Sequence, residues 1–274
     1  MMKDEVRIVF AINDQYIPPF GVALHSLIRH SDRNRFYKIF VLNEGIGSGH
    51  WKKVKSMEQP HVTVESVNVS EWMREHQIPT VNHLSKETTY RLLIPKLFPQ
   101  YEKVLYLDSD LLIRRDVAEL FDMDLEGAIF GASFARLFRW SYVYITEELS
   151  LKAEKYFNCG VLVINNRLLR ETDISDKGMR MLEEKRYPTQ DQDVLNILCQ
   201  SPEHAGKVKF MDGRWNVEWH HLNEEDTDVY IDAVREGSLD YVNDPFIIHY
   251  TGAKKPWNHP ELELAEYFWQ EAKE

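Results

Sequence analysis

The chain has 274 residues, enough for a full core, and carries 33 Lys plus Arg against 44 Asp plus Glu, a formal charge of −11. That balance argues against a nucleic-acid or anionic-membrane surface, which needs a basic footprint. No apolar stretch approaches the ~20 residues that span a bilayer, and Cys159 and Cys199 have no metal-site spacing, which leaves a reducing compartment as the default.

Lys3, Asp4 and Glu5 precede a strand pattern and not an apolar leader, so the expected location is the cytoplasm, where the sequon Asn68-Val69-Ser70 would carry no meaning. Residues 6–12 are apolar except for Arg7, as in a strand buried on both faces. A helix follows from about Pro18 to His30, then a strand over 37–42, a helix around 51–57 and a strand over 62–67. This alternation predicts an α/β fold with a mostly parallel, Rossmann-like sheet. Residues 87–98 put Tyr90, Leu93, Ile94 and Leu97 on one helical stripe, with Pro95 expected to kink or shorten it. Further strands are expected over 104–107, 128–133, 160–164 and 246–248, and helices over 179–184 and 193–198, within a mixed C-terminal half. An acidic amphipathic segment follows Pro260. No linker or repeat interrupts the chain, which reads as one domain over 1–274, with halves of about 1–115 and about 116–274.

Asp108-Ser109-Asp110 directly follows the apolar run Val104-Leu105-Tyr106-Leu107. In extended backbone, residues i and i+2 leave on the same side, so two hard oxygen ligands meet at the C-terminal end of a buried strand. That is a site for a divalent cation, at the end of an α/β sheet where ligands bind, and a diphosphate is the simplest partner for such a metal. A phosphatase reading of residues 104–113 fails: that pair belongs on a first strand, and Leu112 stands where Thr or Val is required. Gly45-Ile46-Gly47-Ser48-Gly49 misses the dinucleotide spacing and reads as a turn ending in a Ser48 cap.

His249-Tyr250-Thr251-Gly252-Ala253-Lys254-Lys255 follows the last apolar strand and offers an imidazole, a glycine open to close backbone approach and a mobile ammonium. Two carboxylates with one imidazole favour Mn2+ over Mg2+, which stays the alternative. Asp191 either caps the helix that follows it or serves the site, and the two roles are compatible. His220-His221 reads as a surface or packing pair, because adjacent residues on a strand point apart.

Together these motifs resemble glycosyltransferase family 8, the retaining transferases that include bacterial lipopolysaccharide galactosyl- and glucosyltransferases and glycogenin. The likeness runs from Ile8 to Trp257 through Phe10-Ala11-Ile12-Asn13-Asp14-Gln15-Tyr16, Tyr90-Arg91, Leu105-Tyr106-Leu107-Asp108-Ser109-Asp110, Tyr156-Phe157-Asn158-Cys159-Gly160, Asp191-Gln192-Asp193-Val194-Leu195-Asn196, Arg214-Trp215-Asn216, His249-Tyr250-Thr251-Gly252 and Lys255-Pro256-Trp257. The resemblance implies a GT-A fold, Mn2+ as cofactor, UDP-glucose or UDP-galactose as donor, and a saccharide or glycolipid acceptor. It implies Asp108, Asp110 and His249 as metal ligands. Ala11, Ile12, Asn13 and Tyr16 would serve the uridine, and Gly252 and Lys255 the diphosphate. Arg91, Ser109, Asn158, Cys159, Asp191 and Gln192 would stand about the metal-bound donor and its sugar, with Gln192 and Asp191 in the catalytic positions and the Gln192 amide suited to positioning rather than covalent work. Asn13 replaces a frequent Asp. Ala135 stands where galactosyltransferase relatives use an acceptor-binding Asp, which admits a second reading as a catalytically idle UDP-sugar-binding stress or sensor protein. A nucleotidyltransferase would need a Gly-rich basic N-terminal loop that this chain lacks. The acidic tail, with Glu261, Glu263, Glu266, Glu271 and Glu274, lacks the basic membrane-docking end of some relatives, so membrane association would be weak at most.

Overall fold

A computed structural model describes residues 5–79, 85–219 and 243–274. The pair His220-His221 lies outside them. Strands β1 (Glu5–Ala11), β2 (Phe36–Asn43), β3 (Val62–Asn68), β4 (Lys103–Leu107), β6 (Phe130–Phe134), β7 (Phe157–Asn165) and β8 (Val208–Phe210) form a seven-stranded sheet in the order β3-β2-β1-β4-β7-β6-β8. Pairing is parallel from β3 to β4 and antiparallel at β4–β7 and β6–β7, so the expected α/β sheet is present with a mixed far half. A second sheet joins β5 (Leu111–Ile113), β10 (Ile247–His249) and β9 (Val217–Glu218) in the order β5-β10-β9.

Alternation along β1 and β4 builds a core on each face of the large sheet. Ile8, Phe10, Leu105 and Leu107 pack with Leu24 and Leu27 of the helix Ile17–His30. Val9, Ala11, Val104 and Tyr106 pack with Tyr90, Leu93 and Ile94 on the other side. Because both faces are covered, these strands read as near-continuous apolar runs, with Arg7 the one charged residue inside them. The chain winds outward from β1 through β2 to β3, then returns to place β4 on the free side of β1. The C-terminal ends of β1 and β4 are therefore the switch point of the sheet, where a crevice opens.

Several local expectations change. Residues 87–98 are not one kinked α-helix: Lys86–Leu93 is a 3-10 helix and only Ile94–Leu97 is α-helical, with Pro95 in the first turn, where its missing N–H is no loss. Ser48 does not cap the helix Ser48–Ser56. Gly47 holds that position, and Asp14 accepts the Gly47 N–H at 2.8 Å from another segment. Asp191 opens the helix Asp191–Gln200 as its first residue, after Gln190. Strands β5, β8 and β9, of two or three residues each, are too short for a periodic signal to mark them.

Candidate active site

A cleft of about 410 Å³ opens at the switch point. Ala11, Ile12, Asn13 and Tyr16 line it from β1 and the turn after it, Asp108, Ser109 and Asp110 from the end of β4, and Arg91, Asn158, Asp191, Gln192, His249, Gly252 and Lys255 from other segments. Cys159 differs: its thiol is buried in the apolar cluster beneath, and burial pushes it well above the ordinary thiol range. Only its backbone serves the neighbouring groups, since its carbonyl accepts from Arg91 Nη1 and its N–H donates to Gln192 Oε1 at 3.0 Å. Asn13 Oδ1 is occupied locally, accepting from the Gln15 and Tyr16 N–H groups, which leaves its Nδ2 as the side chain's donor in the cleft lining.

The small sheet brings together the three residues that could hold a metal ion. Strand β5 leaves the Asp108-Ser109-Asp110 turn and pairs antiparallel with β10, setting His249 opposite Leu111. The Tyr250 N–H then donates to Asp110 C=O at 3.0 Å. His249 Nε2 comes 3.3 Å from Asp110 Oδ1 and 3.7 Å from Asp108 Oδ2, and one ligand atom from each of the three residues lies within 4.8 Å of the others.

Hydrogen bonds fix the imidazole. Asn158 Oδ1 accepts from the Gly160 N–H at 2.7 Å and from Asn216 Nδ2 at 2.9 Å. The Asn216 amide is thereby oriented with Oδ1 toward His249 Nδ1, 2.9 Å away. Nδ1 must carry a proton to use that acceptor, which leaves the Nε2 lone pair facing the two carboxylates when the ring is neutral, an arrangement suited to a metal. Gly160 makes room for it: a Cβ there would stand 2.8 Å from Asp108 Oδ2 and 2.9 Å from His249 Nδ1.

Charge in the cleft is closely balanced. Burial opposes ionisation of Asp110, yet Lys255 and His249 hold its carboxyl below the ordinary range. Lys255 Nζ donates to Asp110 Oδ2 and, at 2.6 Å, to Tyr250 C=O. Burial, and then Asp110 and Asp108, push the Tyr16 phenol up to about 12. Arg91 is buried over the Tyr106 ring, its Nη2 3.4 Å from Asp108 and its Nε 2.7 Å from Asp191 Oδ2. The Arg91 Nε–H nevertheless points at Thr88 C=O, 2.8 Å away, so Asp191 Oδ2 receives no hydrogen bond among the described residues. Burial, opposed by Arg91, pushes the Asp191 carboxyl up to about 6. Gln190, just before it, has φ of 50°, a left-handed backbone uncommon for this residue type and typical of strain held at a functional site.

Other groups that sequence reasoning missed also line the cleft. Asp193 is buried and joined to Tyr156 Oη at 2.5 Å and to the Thr189 N–H at 2.9 Å. Glu218 is buried on β9 and accepts the Arg136 N–H at 3.1 Å. Asp193 sits inside a recognised motif, but nothing in the sequence marks Glu218.

The model of the family described as "Glycosyl transferase family 8" matches residues 7–260. General stress protein A of Bacillus subtilis is 27% identical over 98% of this chain and 94% of its own length. Lipopolysaccharide 1,3-galactosyltransferase of Salmonella typhimurium is 25% identical over 97% and 77%. Galactosyltransferase LgtC, solved with donor and acceptor sugar analogues, superposes with a TM-score of 0.75 at 26% identity, over 98% of this chain and 95% of that one.

Proposed function

The chain belongs to glycosyltransferase family 8, and on that premise we propose that it moves a hexose, glucose or galactose, from a UDP-sugar to an acceptor hydroxyl with retention of configuration. The observation that carries this reading is the convergence of Asp108, Asp110 and His249, with the imidazole aimed by Asn216. These three residues would hold a divalent cation, and their donor set suits Mn2+ better than Mg2+. When bound, that ion would offset charge developing on the departing diphosphate.

The chain's own groups fill the remaining roles. Lys255 brings an ammonium to the same end of the cleft, where Gly252, with φ of 79°, keeps the backbone low enough for phosphate oxygens to approach. Tyr16, edge-on to Trp257 at 6.0 Å, and Asn13 Nδ2 fit a base and its ribose. Asp191, in the cleft lining beside Arg91, would accept a hydrogen bond from a sugar hydroxyl. Gln192 is held through Oε1 by the Cys159 N–H, which fits positioning of the sugar rather than covalent attack. In this reading residues of about 1–115 serve the nucleotide and those of about 116–274 the acceptor, except that His249, Gly252 and Lys255 of the second half return to the metal and diphosphate end. No helix among the described residues is long and apolar enough to cross a membrane, and Cys159 and Cys199 are unpaired, which agrees with a cytoplasmic setting.

The test is UDP release from UDP-glucose and UDP-galactose with and without Mn2+. Turnover should require the metal and fall by roughly a hundredfold or more in Asp110→Asn; an unchanged rate in that variant refutes the assignment. The second reading, an idle UDP-sugar sensor, draws on Ala135, a methyl in the cleft lining where the family resemblance implies an acceptor-binding Asp. Calorimetric UDP binding without turnover on any acceptor would favour it.

A further inference from the structure

On the glycosyltransferase reading an acceptor must enter the same cleft, and one segment of its wall is unlike the rest. Among the described residues the exposed large apolar side chains are Trp140 at 58%, Val143 at 42% and Trp269 at 37%. Trp269 is accounted for: its Nε1–H donates to Pro256 C=O at 3.0 Å and its ring packs on Phe268. Val143 lies outside the cleft lining. Trp140 alone of the three lines the cleft.

Its surroundings are built rather than loose. Phe138 lies nearly parallel to the indole, 15° between planes with centroids 6.4 Å apart. The helix Arg139–Val143 runs into a π-turn, Tyr144–Glu148, a wide form of helix that recurs at functional sites. That turn starts at Tyr144, another lining residue, whose Oη is 3.3 Å from Asp193 Oδ2. Ser141, Tyr144 and Glu218 thus place polar groups in the lining that an exposed indole shares. A flat apolar face with hydroxyl and carboxylate partners nearby fits a pyranose, whose C–H face carries partial positive charge toward a π-cloud and whose rim is polar. A bare alkyl chain would offer these groups, already bonded within the protein, no further hydrogen bond.

We propose that Trp140 is the stacking platform of the acceptor subsite, and that the acceptor is a saccharide presenting the apolar face of a pyranose ring. The experiment is saturation-transfer NMR with the full chain, UDP and Mn2+, titrating methyl glucoside, octyl glucoside, cellobiose, maltose and lactose. At least one should bind, with its Kd raised about tenfold in Trp140→Ala and mostly restored in Trp140→Phe, as expected for loss and partial recovery of one stacked ring. Val143→Ala should leave it unchanged. Failure of every sugar to bind the wild type, equal Kd values in wild type and Trp140→Ala, or weakening confined to octyl glucoside would overturn the proposal. A wild type that turns over UDP-sugar yet gives one of those results loses only this platform, whereas no UDP binding at all would bring down the transferase reading beneath it.

Discussion

The two walls of the cleft are made on different plans. On the Asp108 side the functional groups are buried or half-buried and tied to one another: Asp110 to Lys255, His249 to Asn216, Asn216 to Asn158. On the Trp140 side a five-residue helix and a π-turn hold aromatic rings half in solvent. A group that must meet one ion and one diphosphate gains from being fixed, because reorganising it during reaction would add to the barrier. A surface that meets a variable partner gains nothing from being locked, and it tolerates change.

Substitutions can break that contrast, and their effects should fall in order. Gly160→Ala should do the most damage, since its methyl collides with both His249 and Asp108. We expect at least a hundredfold loss of Mn2+-dependent UDP release and a stability loss of about 1–3 kcal/mol, read by kinetics and by denaturant unfolding. Asn216→Ala should leave the fold in place but free the imidazole to rotate, weakening Mn2+ binding by about 10- to 100-fold in calorimetry.

A third prediction concerns pH. The Asp191 carboxyl is raised from 3.8 to about 6 in the folded chain, so the native state holds that proton more tightly than the unfolded state. Its contribution to stability is fully present below pH 4 and is lost as pH rises through about 6. Asp191→Asn removes this dependence, so its stability relative to wild type should climb by about 2–3 kcal/mol between pH 4 and pH 6.5. Loss of the Arg91 partner moves the whole curve but not that slope, and a flat difference across this range would refute the assignment. The smallest effect belongs to the exposed wall. Trp140→Ala should change unfolding stability by no more than about 0.5 kcal/mol, and a larger loss would show that this wall is part of the core after all.

The same contrast governs what the sequence disclosed. Strands buried on both faces announce themselves as apolar runs, and β1, β2 and β4 are legible to within two residues for that reason, whereas β3, exposed along its second half, is marked by its alternating valines. The acidic pair was legible because it ends such a run. What escaped notice depends on contacts between distant segments. The small sheet consists of strands of two or three residues that exist only through pairing. Glu218 gains its place from β9, and the Asn158–Asn216–His249 chain joins three separate parts of the sequence. Gly160 reads in the sequence as an ordinary strand residue, and only the fold brings His249 and Asp108 against the place its methyl would take. The 3-10 helix over Lys86–Leu93 escaped for another reason: its apolar stripe fits an α-helical period equally well.

Strand β10 bears on the order in which the protein becomes competent. Asp110 and His249 stand 139 positions apart (249 − 110), and it is the docking of β10 on β5 that brings them together. During synthesis the carboxylate pair would emerge long before its imidazole, so a nascent chain offers at best a partial ion site until the C-terminal segment arrives. The ion would then act as a late clasp across the two halves, adding stability only to chains that have finished folding.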